Sequence, residues 1–140
     1  MLQYSETDAR NWPSASEFTA LGAFRPNLLI EGPLLARDRL LEQLQSHIPN
    51  VVARMSTSGV LDLPSRTTGI IVHDVDNLST LDQARLYAWM SEGDLLHQVV
   101  STSAQSVYAL VKSGHFCEDL YYRLNAVLLV VTCGATAGGE

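Results

Sequence analysis

The sequence predicts an α/β fold, a parallel sheet of five strands with helices on both faces, and three observations lead to it. Residues 69–72 (G-I-I-V) and 126–131 (A-V-L-L-V-V) are unbroken apolar runs with the length of strands buried on both faces. Segments of helical period separate the candidate strands, and this alternation places successive strands parallel, joined by right-handed crossovers. At 140 residues, 46% hydrophobic and 17% charged, the chain suffices for one domain with one core and lies far from a disordered composition.

Residues 1 to about 13 are polar and end in Trp12-Pro13, so they read as an arm. Ser14 or Ser16 caps a short helix reaching Gly22, with Glu17 placed in its first turn. Residues 27–31 (N-L-L-I-E) form the first strand, and Gly32-Pro33 turns the chain into a helix over 34–47. Its apolar face is Leu34, Leu40, Leu41, Leu44 and Ile48, interrupted by Arg37. Residues 50–55 are a second strand, weakened by Arg54. Residues 56–68, rich in Ser, Thr and Gly, read as a loop with a short extended piece at 60–63.

The run 69–72 ends in His73-Asp74-Val75-Asp76-Asn77. Ser79 starts a helix in capping-box fashion, with Asp82 standing where Glu is usual, and Gly93 closes it. Residues 97–102 are the next strand and 104–112 the next helix, which Gly114 breaks. Phe116, Leu120, Tyr121 and Leu124 then recur at helical spacing before the last strand. The organisation expected is an arm and short helix over 1–24, a core over 25–131 and a flexible tail over 132–140.

Several function classes are excluded. A net charge of −6 without a basic arm argues against a surface for nucleic acid. The longest purely apolar run is six residues and the first ten are polar, so neither a membrane span nor a signal core is expected, and a cytoplasmic location is. Cys117 and Cys133 make no disulfide framework, and the four histidines lack metal-ligand spacing. The hydroxyl cluster at 101–106 has no nucleophile-and-base pattern around it.

The stretch F-C-E-D-L-Y-Y-R-L-N-A-V, residues 116–127, resembles the helix and last core strand of the AAA+ domain in bacterial activators of sigma-54 RNA polymerase. Similarity continues backward: residues 98–116 look like that family's R-V-I-A-A-T-N-R-D-L-x-x-L-V-x-x-G-x-F, residues 69–79 like its Walker B, and N-L-L-I-E-G like the strand leading to Walker A. The resemblance implies a P-loop NTPase-type core, and the family's helical lid would begin where this sequence stops.

Where the family handles ATP, the match decays. A phosphate loop uses several glycines whose NH groups wrap the phosphates, a Lys, and a Ser or Thr for magnesium. Residues 31–38 offer Gly32 alone, Pro33 removes a donor, and Asp38 stands where the Lys belongs, with Arg37 beside it. Aligned on Walker B, Asp74 keeps the magnesium position while Val75 replaces the Glu that activates water. The sensor Asn falls on Ala104, next to Ser103. Of two arginines offered to a neighbouring subunit, one falls on Cys117 and the other is Arg123, for which a salt bridge to Glu118 or Asp119 is the simpler expectation. The loop that touches sigma-54 is not found within 56–68. A divalent metal at His73, Asp74 and Asp76 is weighed against a Walker B remnant, and the remnant is preferred.

The resemblance therefore implies a catalytically degenerate module acting in transcriptional regulation by contact with a protein, either a full-length sigma-54 activator or sigma-54 itself, with self-association allowed. No cofactor is expected beyond weak Mg-ATP, and no ATPase activity. The alternatives are a residual ATP-binding domain of a sigma-54-dependent response regulator, or a fragment of one.

Overall fold

The computed structural model describes residues 2–5 (backbone only), 25–55, 59–65, 69–92 and 98–132. In chain order the elements are β1 (Leu2–Ser5), β2 (Leu28–Glu31), α1 (Leu34–Leu44, continued by a 3-10 turn Gln45–His47), β3 (Val52–Met55), β4 (Leu61–Asp62) and β5 (Gly69–Val72). After a 3-10 turn at Val75–Asn77 come α2 (Thr80–Met90), β6 (Gln98–Ser103), α3 (Val107–Lys112), α4 (Glu118–Leu124) and β7 (Val127–Thr132). The predicted short helix before Gly22, the Gly93 stop and the tail from Cys133 on lie outside the described residues.

The sheet order is β1-β7-β2-β6-β5-β3-β4. Its pairings are parallel except β3 with β4, so the expected five parallel strands become six, plus a two-residue antiparallel edge strand. The sixth is β1, beside β7, in a stretch whose polar composition reads as an arm; an edge strand needs only one covered neighbour and carries no apolar run. The extended piece expected at 60–63 is β4.

Strand residues point alternately to two cores. Leu28, Ile30, Val100, Leu129 and Val131 meet Ala36, Leu40 and Leu44 of α1. Leu29, Ile70, Val72, Val99 and Leu128 meet Leu86 and Trp89 of α2, Val107 of α3 and Leu120, Tyr121 and Leu124 of α4. Leu34, assigned from sequence to the inner face of α1, is 62% exposed, while Arg37 is buried. The apolar stripe is thus rotated, because an ion pair with Asp74 draws Arg37 inward. Helix α3 begins three residues later than expected, where Ser106 caps it by accepting from the Ala109 NH. Ser79 caps α2 in the same way, accepting from the Asp82 NH, but the Asp82 carboxylate turns away to β4 and does not complete the box.

Polar staples fix the helix α4 near the end of the chain. Buried Gln83 donates to the carbonyls of Leu78 and His115 and accepts from the Cys117 NH, tying the start of α4 to α2. Asn27 donates to the Arg123 carbonyl and accepts from the Val99 NH, joining the end of α4 to β2 and β6. Each buried polar group in these staples replaces the water it lost.

Candidate functional site

The C-terminal ends of β2, β5 and β6 form one edge of the sheet, the usual place for ligand sites in open α/β folds. The residues singled out from sequence for nucleotide chemistry gather there.

Gly32 follows β2 with φ +147°, and its NH donates to the Ser103 carbonyl at 3.0 Å. A Cβ at this position would overlap the Val131 carbonyl oxygen and lie 2.6 Å from Val131 Cγ2. The glycine is therefore required by the close passage of β7. Pro33 is the residue before α1, and Leu34 to Asp38 are already helical. Most of the stretch aligned with a phosphate loop is the start of a helix, with the Arg37 NH already bonded to the Pro33 carbonyl, so it forms no extended loop that wraps a phosphate.

Arg37 Nη1 donates to Asp74 Oδ1 at 3.2 Å, with the arginine side chain 5% exposed and the aspartate 52%. Arg37 Nε is buried without a partner among the described residues. The carboxylate that the resemblance aligns with the magnesium ligand of Walker B is thereby held by a guanidinium from the helix on which the family's phosphate-binding Lys would align. Asp74 is in the left-handed region (φ 56°), which Asp tolerates better than most residues, and its NH donates to Thr102 Oγ1. Val75, at the water-activating position, is fully buried in the core. Asp38 is exposed, and lines a shallow depression between α1 and β3 with His73.

At the end of β6, buried Ser103 closes its own turn, its hydroxyl donating to the Gln105 carbonyl at 2.6 Å and accepting from the Gln105 NH. Ala104 is exposed and brings no polar group. Gln105 Nε2 donates to Asp76 Oδ2 at 3.3 Å. Among the described residues no three His, Cys, Asp or Glu side chains gather in a way that could hold a metal ion. Arg123 does not pair with Glu118 or Asp119: its guanidinium lies 4.9 Å from the Tyr87 ring centroid, a cation–π contact to α2. Glu118 and Asp119 are exposed in the first turn of α4, where the helix dipole favours carboxylates.

Sequence reasoning missed Glu31. It is 7% exposed, accepts from the Val107 NH at 2.9 Å, and burial, with nearby Asp76 adding, lifts its carboxyl above the ordinary 4.5. A carboxyl whose folded pKa is raised contributes stability that is complete below about 4.5 and is lost as pH rises through the folded value. Glu31→Gln is therefore expected to raise the denaturation midpoint at pH 7, and to lose that advantage below pH 4.5. A difference that is flat with pH contradicts this.

The Arg37–Asp74 pair makes an asymmetric prediction. Asp74→Asn strands a buried cation and is expected to cost about 1–2 kcal/mol, reduced from the fully buried case because Asp74 is half exposed. Arg37→Met keeps the buried stem without the charge and is expected to stay within about 1 kcal/mol of wild type. Urea denaturation compares them; equal losses contradict the assignment of Arg37 as the desolvated partner.

An open parallel sheet whose first core strand, β2, ends in a glycine turn and a helix, with Asp74 at the end of β5 on the far side of β6, is an open α/β fold with its candidate site at the strand ends. Within that class, the chain belongs to the sigma-54 interaction domain family, which it matches over residues 37–133. It is 28% identical over 132 aligned residues to the acetoin catabolism regulatory protein of Cupriavidus necator, covering 80% of this chain and 20% of that protein. Among solved structures it is similar to NtrX from Brucella abortus in complex with ADP (TM-score 0.59, 16% identity, 82% of this chain and 33% of that one). The ATP complex of the same protein gives a TM-score of 0.59 at 15% identity, covering 81% of this chain and 33% of that one. The chain thus spans a fifth of the length of the curated relative and a third of the solved chains. No helix among the described residues is long and apolar enough to cross a membrane.

Proposed function

We propose that this chain is a catalytically degenerate sigma-54 interaction module that acts by contact with a protein in transcriptional regulation. The observation that carries the reading is the Arg37–Asp74 ion pair across the start of a helix already formed at Leu34. Phosphoryl transfer depends on a phosphate cradle, a free magnesium ligand and a group that positions water acting together. Here the cradle is helix, the ligand is paired, and the third position is a core valine. These residues do not fit Mg-ATP.

What the chain offers to a partner is the exposed side of α4, with Glu118, Asp119 and Arg123. A full-length sigma-54 activator, or sigma-54 itself, is the partner this reading names, and a cytoplasmic location goes with it. The test adds the purified chain to a sigma-54 activator and follows binding and ATPase rate. Binding that changes the rate, and that weakens in Glu118→Lys/Asp119→Lys, is expected. Failure to bind the activator or sigma-54 overturns the reading.

A further inference from the structure

The face of the sheet opposite α1 carries a cavity of about 470 Å³ beside the end of β2. Its walls include Tyr108 of α3, Tyr121, Tyr122 and Asn125 of α4 and its cap, and Leu128 of β7, while Glu31 supplies a carboxylate. The Tyr108 and Tyr121 ring centroids are 5.8 Å apart and those of Tyr121 and Tyr122 5.4 Å, with tilted planes. Tyr122 is 61% exposed and Tyr108 is also exposed.

Two further observations give this cavity a sign. Glu31 is buried, and among the described residues no cationic side chain pairs with it; its hydrogen bond is to a neutral backbone NH. A buried carboxylate without a counter-charge is costly, and a bound cation relieves it. One of the tyrosines, Tyr108, already holds a cation, since Lys112 Nζ lies 5.6 Å from its ring centroid. Several aromatic faces with a carboxylate behind them are the elements of an aromatic cage for ammonium groups.

We propose that this cavity binds a small organic cation, an ammonium or guanidinium group seated on the tyrosine faces with its charge toward Glu31. The site is separate from the Arg37–Asp74 edge and goes beyond the protein-contact reading. Its volume lies within the range of small-molecule pockets. An anion is disfavoured by Glu31 and by Asp76 near it.

The test is calorimetric titration of the full chain with choline, with agmatine, and with 3,3-dimethyl-1-butanol, the uncharged analogue of choline. Saturable binding of at least one cation with a Kd on the order of 1 mM is expected, with none for the alcohol. Glu31→Gln should weaken binding about tenfold and Tyr122→Ala about fivefold. Tyr122 is exposed, so its variant folds whatever the fate of the Glu31 one. Lys112→Ala should leave binding unchanged or tighter, since it removes a competing cation. Equal binding of choline and the alcohol, no binding of either cation, or full affinity in both Glu31→Gln and Tyr122→Ala overturns the proposal.

Discussion

Gly32→Ala is expected to destabilise the protein by about 3–5 kcal/mol, a large share of the roughly 5–15 kcal/mol that keeps a domain folded. Two independent penalties combine. The backbone at φ +147° belongs to a region that side chains rarely enter, costing about 1–3 kcal/mol. The added methyl would also overlap the Val131 carbonyl, which sits in a strand paired on both sides and cannot retreat without breaking ladder bonds. In an ATPase, loss of a phosphate-loop glycine is read as loss of nucleotide contact. Here the loss should appear without nucleotide, as a collapse of the urea midpoint. A Gly32→Ala protein that melts with wild type would show that β7 can yield to a side chain at this position.

Asp82→Ala is expected to cost about 2–3 kcal/mol and to lower Tm by about 10 °C. Asp82 Oδ1 accepts from the Leu61 NH and from Arg85 Nη1, both at 3.2 Å, and Arg85 in turn donates to the Leu61 carbonyl at 2.7 Å. One residue of β4 is thus held by both its backbone groups from α2. Removing the carboxylate strands a buried NH; the Arg85 charge is partly rescued by water because that side chain is 38% exposed. Asp82→Asn keeps an acceptor and should lose less than half as much. Thermal melts of the three proteins check the order, and a silent alanine variant would show that the clamp does not stabilise β4.

The sheet was legible because strands buried on both faces must be apolar throughout, and residues 69–72 and 126–131 are. Helix α4 was legible from the spacing of Phe116, Leu120, Tyr121 and Leu124, all buried as that spacing requires. β1 was not, since Gln3 and Ser5 give an edge strand no signature distinct from a polar arm. Arg37 read as a flaw in an apolar stripe because its partner stands 37 positions away, and no local pattern announces a buried ion pair. Gly32 could be picked out by residue type, but its reason, the passage of β7, is a tertiary fact. The tyrosine cavity was hidden for the same cause. Tyr121 and Tyr122 belong to the motif that suggested the family, yet Glu31 and Tyr108 join them only when β2, α3 and α4 are brought together.

Calorimetric titration of Mg-ATP into the full chain at high protein concentration bears most directly on the proposal that Arg37 and Asp74 close the nucleotide site. No saturable heat is expected, because the helix starting at Leu34 leaves no cradle and Asp74 is already paired. Saturable heat that disappears in Asp74→Asn would contradict the closed site and would make the chain a residual nucleotide-binding domain.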